Sequence, residues 1–158
     1  VMAQFSAAHA QSPFPITLDP IAYNEARLSI LTADSAEATY TVPELESFPT
    51  YRLVTTTPWR PQPATFDGVL LNDVLAAHGL QDTEVLRVEA ENDYAVTLDK
   101  VVRDATPILL ATRVDGRALS RRERGPILFV VGADDYARLD VITERHLVWM
   151  ARRISPDG

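Results

Sequence analysis

Short runs of alternating apolar and polar residues, each cut off by a turn former, constrain this chain more than any other feature. Leu86, Val88 and Ala90 fall on one side of an extended segment, with Arg87 and Glu89 on the other. After the turn Glu91-Asn92-Asp93, residues Tyr94, Val96 and Leu98 repeat the period of two. The pair therefore reads as a hairpin with one buried face. Val114-Asp115-Gly116-Arg117 is a second hairpin signal, because glycine accepts the positive φ such a turn needs. Ala26, Leu28 and Ile30 alternate in a first strand, and Ile108 to Thr112 is an apolar strand after Pro107. Ile127 to Val131 is apolar throughout and predicts a central strand, while His146 to Ile154 predicts the last one.

Helical signals are fewer and short. Thr41-Val42-Pro43-Glu44 is a capping-box pattern with proline in the first turn, so a helix runs to about Ser47. Leu71, Val74, Leu75 and His78 recur at helical spacing, with Gly79 as the stop. Asp99 can cap a short helix through Val102, and Gly132 to Asp140 reads as a polar, acidic loop. Strands outnumber helices, so the expectation is an α+β fold: a mainly antiparallel mixed sheet with short helices. Its core should hold Leu28, Leu75, Val88, Val96, Leu110, Leu128, Phe129 and Val148.

The chain has 158 residues, which suits one domain over residues 11–158. A net charge of −7 argues against nucleic acid as a partner. No run is long and apolar enough for membrane insertion. With no cysteine, disulfides, thiolate nucleophiles, zinc–thiolate sites and iron–sulfur clusters are excluded, and three histidines are too few for a histidine-rich metal site. Ala8-His9-Ala10 matches the small-x-small rule of a secretory cleavage site. Residues 1–10 are accordingly expected to be the remnant of a signal peptide, and the protein to be periplasmic or secreted.

The unusual chemistry gathers at Thr55-Thr56-Thr57-Pro58-Trp59. Three hydroxyls follow the strand-like run Tyr51 to Val54, Pro58 stops the ladder, and Trp59 lies in a loop that also carries Pro61 and Pro63. Gly68 reads as a tight turn before the helix at Leu71. Five arginines lie between Arg113 and Arg124, against Asp115 and Glu123, in a chain whose only lysine is Lys100. Arginine is the fork-shaped donor suited to carboxylate and phosphate. No carboxylate pair stands out as general acid and base, no serine sits in a nucleophile elbow, and no phosphate loop or dinucleotide fingerprint is present. His78 reads as a helix-end residue and His146 as a satisfied sheet residue.

In order and spacing, Tyr40 to Ile154 resembles the molybdopterin-binding oxidoreductase domain of the sulfite oxidase family. The resemblance is carried by Tyr40-Thr41-Val42-Pro43-Glu44-Leu45-Glu46 with Phe48-Pro49, and by Phe66-Asp67-Gly68-Val69-Leu70-Leu71-Asn72-Asp73-Val74-Leu75. Leu109-Leu110-Ala111, Asp115-Gly116-Arg117-Ala118-Leu119, Gly125-Pro126-Ile127-Leu128 and the close at Trp149 to Ile154 complete it. It implies that family's fold, and molybdopterin as the cofactor. One departure weighs against the family's redox chemistry. The active family ligates molybdenum with a cysteine at the end of the strand before the Gly-Val helix, where this chain has Thr55, Thr56 and Thr57. A thiolate is a soft, readily ionised ligand, and a threonine hydroxyl is neither.

The fold that the resemblance implies would bring the strand-end loop, the Asn92-Asp93-Tyr94 turn and the arginines together around one pocket. Trp59 and Tyr94 would offer flat walls for a ring. The Thr55, Thr56 and Thr57 hydroxyls, with Asn92 and Asp93, would give its edge hydrogen bonds. Arg113, Arg121, Arg122 or Arg124 would take a phosphate or carboxylate. The first reading is an exported protein of this fold that binds a pterin or other small anionic ligand without molybdenum turnover. A cofactor-free interaction or sensory module docking on a periplasmic or membrane protein partner is the second. The third is a true molybdenum oxidoreductase whose metal is held by the cofactor's own dithiolene and solvent.

Overall fold

One face of each of two sheets carries the apolar half of the alternating pattern, and these faces build the larger core. The computed structural model describes residues 12–157 apart from Asn24 and Ala33, so residues 1–10 and their cleavage-like motif lie outside the described residues. The first sheet contains β1 (Phe14–Ile16), β4 (Thr50–Thr57), β5 (Arg60–Leu70), β8 (Leu109–Val114) and β10 (Leu128–Val130) in the order β1-β4-β5-β8-β10, with β9 (Arg117–Ala118) also paired to β8. The second contains β2 (Arg27–Leu31), β3 (Glu37–Thr41), β6 (Val85–Ala90), β7 (Ala95–Asp99) and β11 (Ala151–Pro156) in the order β3-β2-β11-β6-β7. Every pairing is antiparallel except that of β11 with β2. Short helices α1 (Val42–Leu45), α2 (Leu71–Ala77), α3 (Lys100–Ala105) and α4 (Ala133–Arg138) join them. The fold is α+β and mainly antiparallel, as the period-two runs require.

The expected core residues are all buried. Leu28, Leu75, Val88, Val96, Leu110, Phe129 and Val148 lie in the larger cluster, which takes side chains from both sheets and from α2. Leu128 lies in a smaller cluster with Leu53, Phe66, Leu109 and Val114. Neighbours Leu109 and Leu110 thus face opposite clusters, so both faces of the first sheet are covered. Each such side chain contributes about 1.5–3 kcal/mol of transfer free energy. The Thr41 capping box closes as the sequence predicts. Its Oγ1 accepts from Glu44 N at 3.3 Å, and Glu44 Oε1 accepts from Thr41 N at 2.8 Å. Gly79 (φ +69°) ends α2 after His78, whose Nε2 lies 2.6 Å from the Tyr40 hydroxyl.

Several expectations are corrected. Thr55, Thr56 and Thr57 are strand, not loop: β4 runs on to Thr57, and Pro58-Trp59 form the tip of its hairpin with β5. Pro61 and Pro63 lie in β5 itself. There β5 pairs only with β4, since its pairing with β8 starts at Phe66, so the missing N–H groups have an open edge. Gly68 makes no turn. It lies at an irregularity between β5 and β8, where a Cβ would stand 1.9 Å from the Leu110 carbonyl oxygen.

Residues read as a loop after Gly132 form α4, because Asp134 and Asp135 complement the positive helix start and Asp135 accepts from Thr106 Oγ1 at 2.7 Å. The helix from Lys100 extends past Val102 to Ala105. β10 is an end strand, not a central one. Its edge is covered by residues 148–149, through Phe129 N to Val148 O at 2.8 Å and a bridge between Leu128 and Trp149. The last strand therefore starts at Ala151, after a positive φ of 56° at Met150. His146 lies in a 3-10 turn (Glu144–His146) rather than a sheet, and its Nδ1 accepts from Thr143 N at 3.0 Å.

Candidate functional site

The β4–β5 hairpin tip projects where the chain's cavities gather. Thr56, Thr57 and Pro58 line one of about 370 Å³ with Val131, Tyr136 and Leu147. Thr57 and Trp59 line another of about 210 Å³ with Arg122, Arg124 and Glu123. Trp59 also walls a third, of about 400 Å³, with Asn92, Tyr94, Arg145 and Trp149. The indole of Trp59 is the shared wall between an arginine-lined recess and a ring-sized cleft.

Arg124 is held there by local geometry. Ser120 and Glu123 cap a 3-10 turn, Arg121–Glu123, and Arg124 leaves it in the left-handed region at φ 75°. Met150 N donates to the Arg124 carbonyl at 3.0 Å. Its guanidinium consequently lies 4.5 Å from the Trp59 ring centroid and 4.9 Å from that of Trp149. Each cation–π contact is worth about 0.5–2 kcal/mol, more as water is excluded. No side chain among the described residues accepts a hydrogen bond from this guanidinium in an ion pair, so its N–H groups are left to other partners.

Among the described residues, Arg122, Arg124 and Arg145 are in no ion pair. Glu123, on the same recess, is already engaged by Arg117 at 2.7 Å and by Ser120. Burial pushes its carboxyl up, but these hydrogen bonds and the Arg117 charge prevail and hold it below the usual carboxylate range. The recess thus keeps a positive excess. In the larger cleft Glu144 stands beside Arg145, so the charge there is balanced. The Tyr94 hydroxyl donates to the Arg145 carbonyl at 2.9 Å, which fixes that wall. Its pKa is raised chiefly by burial, against the Arg145 charge and with the help of Glu144, so it stays a neutral donor.

The structure brings some of the expected site residues together and sends others elsewhere. Thr56, Thr57, Trp59, Asn92, Tyr94, Arg122 and Arg124 line these adjoining cavities. Thr55 is buried behind them, and its hydroxyl donates to the carbonyls of Thr56 and Val131 at 3.2 and 3.3 Å. Asp93 turns outward at φ 68° and reaches Arg152 at 3.4 Å. Arg121 is taken by both carboxylate oxygens of Glu91, at 2.7 and 3.0 Å. Arg113 lies inside β8, paired with Glu46 at 2.9 Å, on a different cavity. The register irregularity between Ala111 and Arg113 breaks the strict alternation of β8, and Arg113 meets Glu46 instead of the tryptophan cavities, which the spacing of arginines along the chain does not reveal. Trp149, in the site, reads from the sequence only as part of a strand, and no sequence pattern singles out Arg145.

These donors suit a flat, anionic molecule: an indole and a phenol for the ring, unpaired arginines for an acid group. They include no thiolate, the soft side-chain ligand suited to molybdenum. No cluster of three histidine, aspartate or glutamate side chains that could hold a metal occurs among the described residues. The Thr55 hydroxyl is spent on main-chain carbonyls.

No family model matches the chain, and no curated protein matches it by sequence. Among solved structures, it is similar to the sulfane dehydrogenase SoxCD from Paracoccus pantotrophus, with a TM-score of 0.62 at 19% identity. The match covers 90% of this chain and 44% of that one, so the chain spans less than half the length of its neighbour. At this identity the likeness shows a shared fold.

Proposed function

We propose that this chain binds a small anionic ligand with a flat ring, a pterin of the molybdopterin kind, at the Trp59–Trp149 site, without molybdenum turnover. The observation that carries the reading is Arg124, within cation–π distance of two tryptophans and with no carboxylate partner among the described residues. The arginine-lined recess of about 210 Å³ takes the phosphate, and the cleft of about 400 Å³ takes the ring. Asn92 offers its amide N–H groups to the ring edge, since its Oδ1 already accepts from Tyr94 N at 3.2 Å. The sulfite oxidase-like order of segments and the fold shared with a sulfane dehydrogenase support a pterin over other flat anions. The missing thiolate separates binding from redox chemistry. Export to the periplasm or beyond is part of the same proposal and rests on Ala8-His9-Ala10. Mass spectrometry of the native N-terminus tests it, and an intact residue 1 on cytoplasmic material refutes it.

The deciding experiment purifies the protein from a molybdenum-replete host and measures metal and pterin together. Pterin without stoichiometric molybdenum is the expected result, reduced about tenfold or more in affinity by Arg124→Gln, which removes a charge-assisted bidentate contact. Stoichiometric molybdenum with sulfite or sulfoxide turnover would establish the oxidoreductase reading instead. Protein free of both, and blind to added pterin, would leave the interaction module, for which β3 and β7 provide edge strands.

A further inference from the structure

A cavity of about 700 Å³, larger than those at the hairpin tip, lies at the other end of β4, where Thr50 rather than Thr57 forms the wall. β4 is eight residues long, which sets its two ends roughly 23 Å apart at the usual rise. The cavity is thus separate from the tryptophan site and independent of the function proposed above. Its walls are apolar: Ile16, Leu18, Ile21, Phe48 and Pro49. Its volume is within the range of small-molecule sites.

Its floor is a charged pair sealed into the protein. The Arg113 and Glu46 side chains are 5% and 9% exposed and meet at 2.9 Å. Glu46 is saturated. Oε1 takes Arg113 Nη2 and the Tyr23 hydroxyl, and Oε2 takes Thr112 Oγ1 at 2.6 Å and Arg113 Nε at 3.2 Å. Burial first, then hydrogen bonding to Glu46 and its charge, raises the Tyr23 pKa against the effect of Arg113, so the phenol stays protonated as the donor. Arg113 Nη2 also donates to the Asp19 carbonyl at 2.6 Å, tying the lead-in over the cavity. Arg113 Nη1 alone has no acceptor among the described residues. It is not among the fully buried atoms that lack a partner, and Arg113 is one of the residues lining the cavity.

We infer that this cavity is a second binding site, for a neutral, predominantly apolar molecule with one carbonyl, a long-chain ketone or ester. The carbonyl oxygen accepts from Arg113 Nη1, and the apolar body covers Leu18, Ile21 and Phe48. A carboxylate is a poorer occupant despite the arginine. Glu46 already neutralises that charge, and a second carboxylate beside it would be desolvated against a like charge.

Calorimetric and 15N NMR titration of the full chain with 2-decanone and with decanoate at pH 7 tests this. The ketone should bind and shift the Ile21, Phe48 and Arg113 Nε resonances, with decanoate about tenfold weaker or more, from repulsion at an incompletely screened site. Leu18→Trp, a change at a partly exposed wall, should fill the cavity and abolish ketone binding while leaving the remaining spectrum intact. Arg113→Lys, which keeps the charge on Glu46 but removes the fork, should weaken the ketone. Equal binding of both probes, binding unchanged by Leu18→Trp, or no ketone binding up to its solubility limit would each overturn the inference. So would concentration-dependent shifts of the same residues without ligand, which would make the cavity a contact between copies of the chain.

Discussion

Gly68 and Gly79 are glycines for different reasons, and replacing each by alanine separates those reasons energetically. Gly68 is buried opposite Ala111, and an added Cβ would sit 1.9 Å from Leu110 O, 2.8 Å from Leu110 C and 2.9 Å from Ala111 Cα. All three obstacles are main chain in β8, whose residues are buried along its whole length, so no side chain can swing away. Overpacking ordinarily costs about 1–3 kcal/mol, and a clash with main chain belongs at the upper end, about 3 kcal/mol or more. Around Gly79, by contrast, an added Cβ meets nothing within 4 Å, and the only cost is its φ of +69°. That cost is about 1–2 kcal/mol, partly offset by about 0.4–1 kcal/mol of lost unfolded-state freedom. Urea melts of both variants should give a Gly68→Ala loss at least twice that of Gly79→Ala. In thermal melts, Gly68→Ala should lower Tm by about 6–12 °C, at about 2–4 °C per kcal/mol for a chain of this size. Equal losses would refute the close-approach argument and return Gly68 to the role of a turn residue.

Arg113→Met should cost about 3–5 kcal/mol by leaving Glu46 buried and uncompensated, while the double change with Glu46→Leu should recover much of it; urea midpoints of the three proteins check this. The thiol of Thr57→Cys, on two cavity walls, should be alkylated by iodoacetamide in the native protein, and that of Thr55→Cys, in a position 1% exposed, should be protected. Burial, and secondarily the Arg145 charge, lower the His146 pKa. The unfolded chain therefore takes up a proton near pH 6.5 that the folded one refuses, so stability should fall as pH drops below about 6.5. His146→Gln should flatten that slope in urea midpoints measured between pH 5 and 8.

What the sequence makes legible is local. Leu86, Val88 and Ala90 disclose their strand because one face is buried and the other wet, so period and burial agree. Thr41 and Glu44 disclose a helix start because both partners of the cap lie within one turn. Asp115 and Gly116, at φ 50° and 85°, disclose their hairpin because few residues accept that backbone. The failures are as physical. Thr55, Thr56 and Thr57 look like a loop by polarity, yet they are strand because β5 pairs with them from across the hairpin. α4 is short and acidic, and its helix is secured by Thr106, far away in sequence. Leu147 to Met150 are apolar on both sides because they cover the edge of β10, not because they form a strand.

The arginines show where such reading ends. Arg113, Arg121, Arg122 and Arg124 look alike in sequence, and distant carboxylates sort them. Glu46 takes Arg113 into the interior, Glu91 takes Arg121, and Arg122 and Arg124 are left. A shortage of acids cannot explain the remainder. The chain has 22 aspartates and glutamates against 15 lysines and arginines, and none of those carboxylates lies among the undescribed residues. Arg103 also lacks a carboxylate, but its two Nη groups donate to the carbonyls of Leu98, Gln81 and Thr83 and only its buried Nε is left without an acceptor, and Arg27 stands apart on β2. Arg122 and Arg124 instead share a recess with Trp59, while Arg145 lines the neighbouring cleft with Trp59, Trp149 and Glu144. The two tryptophans hold Arg124 in place through cation–π contacts that offset its lost side-chain freedom, yet no carboxylate among the described residues pairs with its N–H groups. Under the proposed function an incoming anion would supply that partner, and a flat one would also gain the indole and phenol walls.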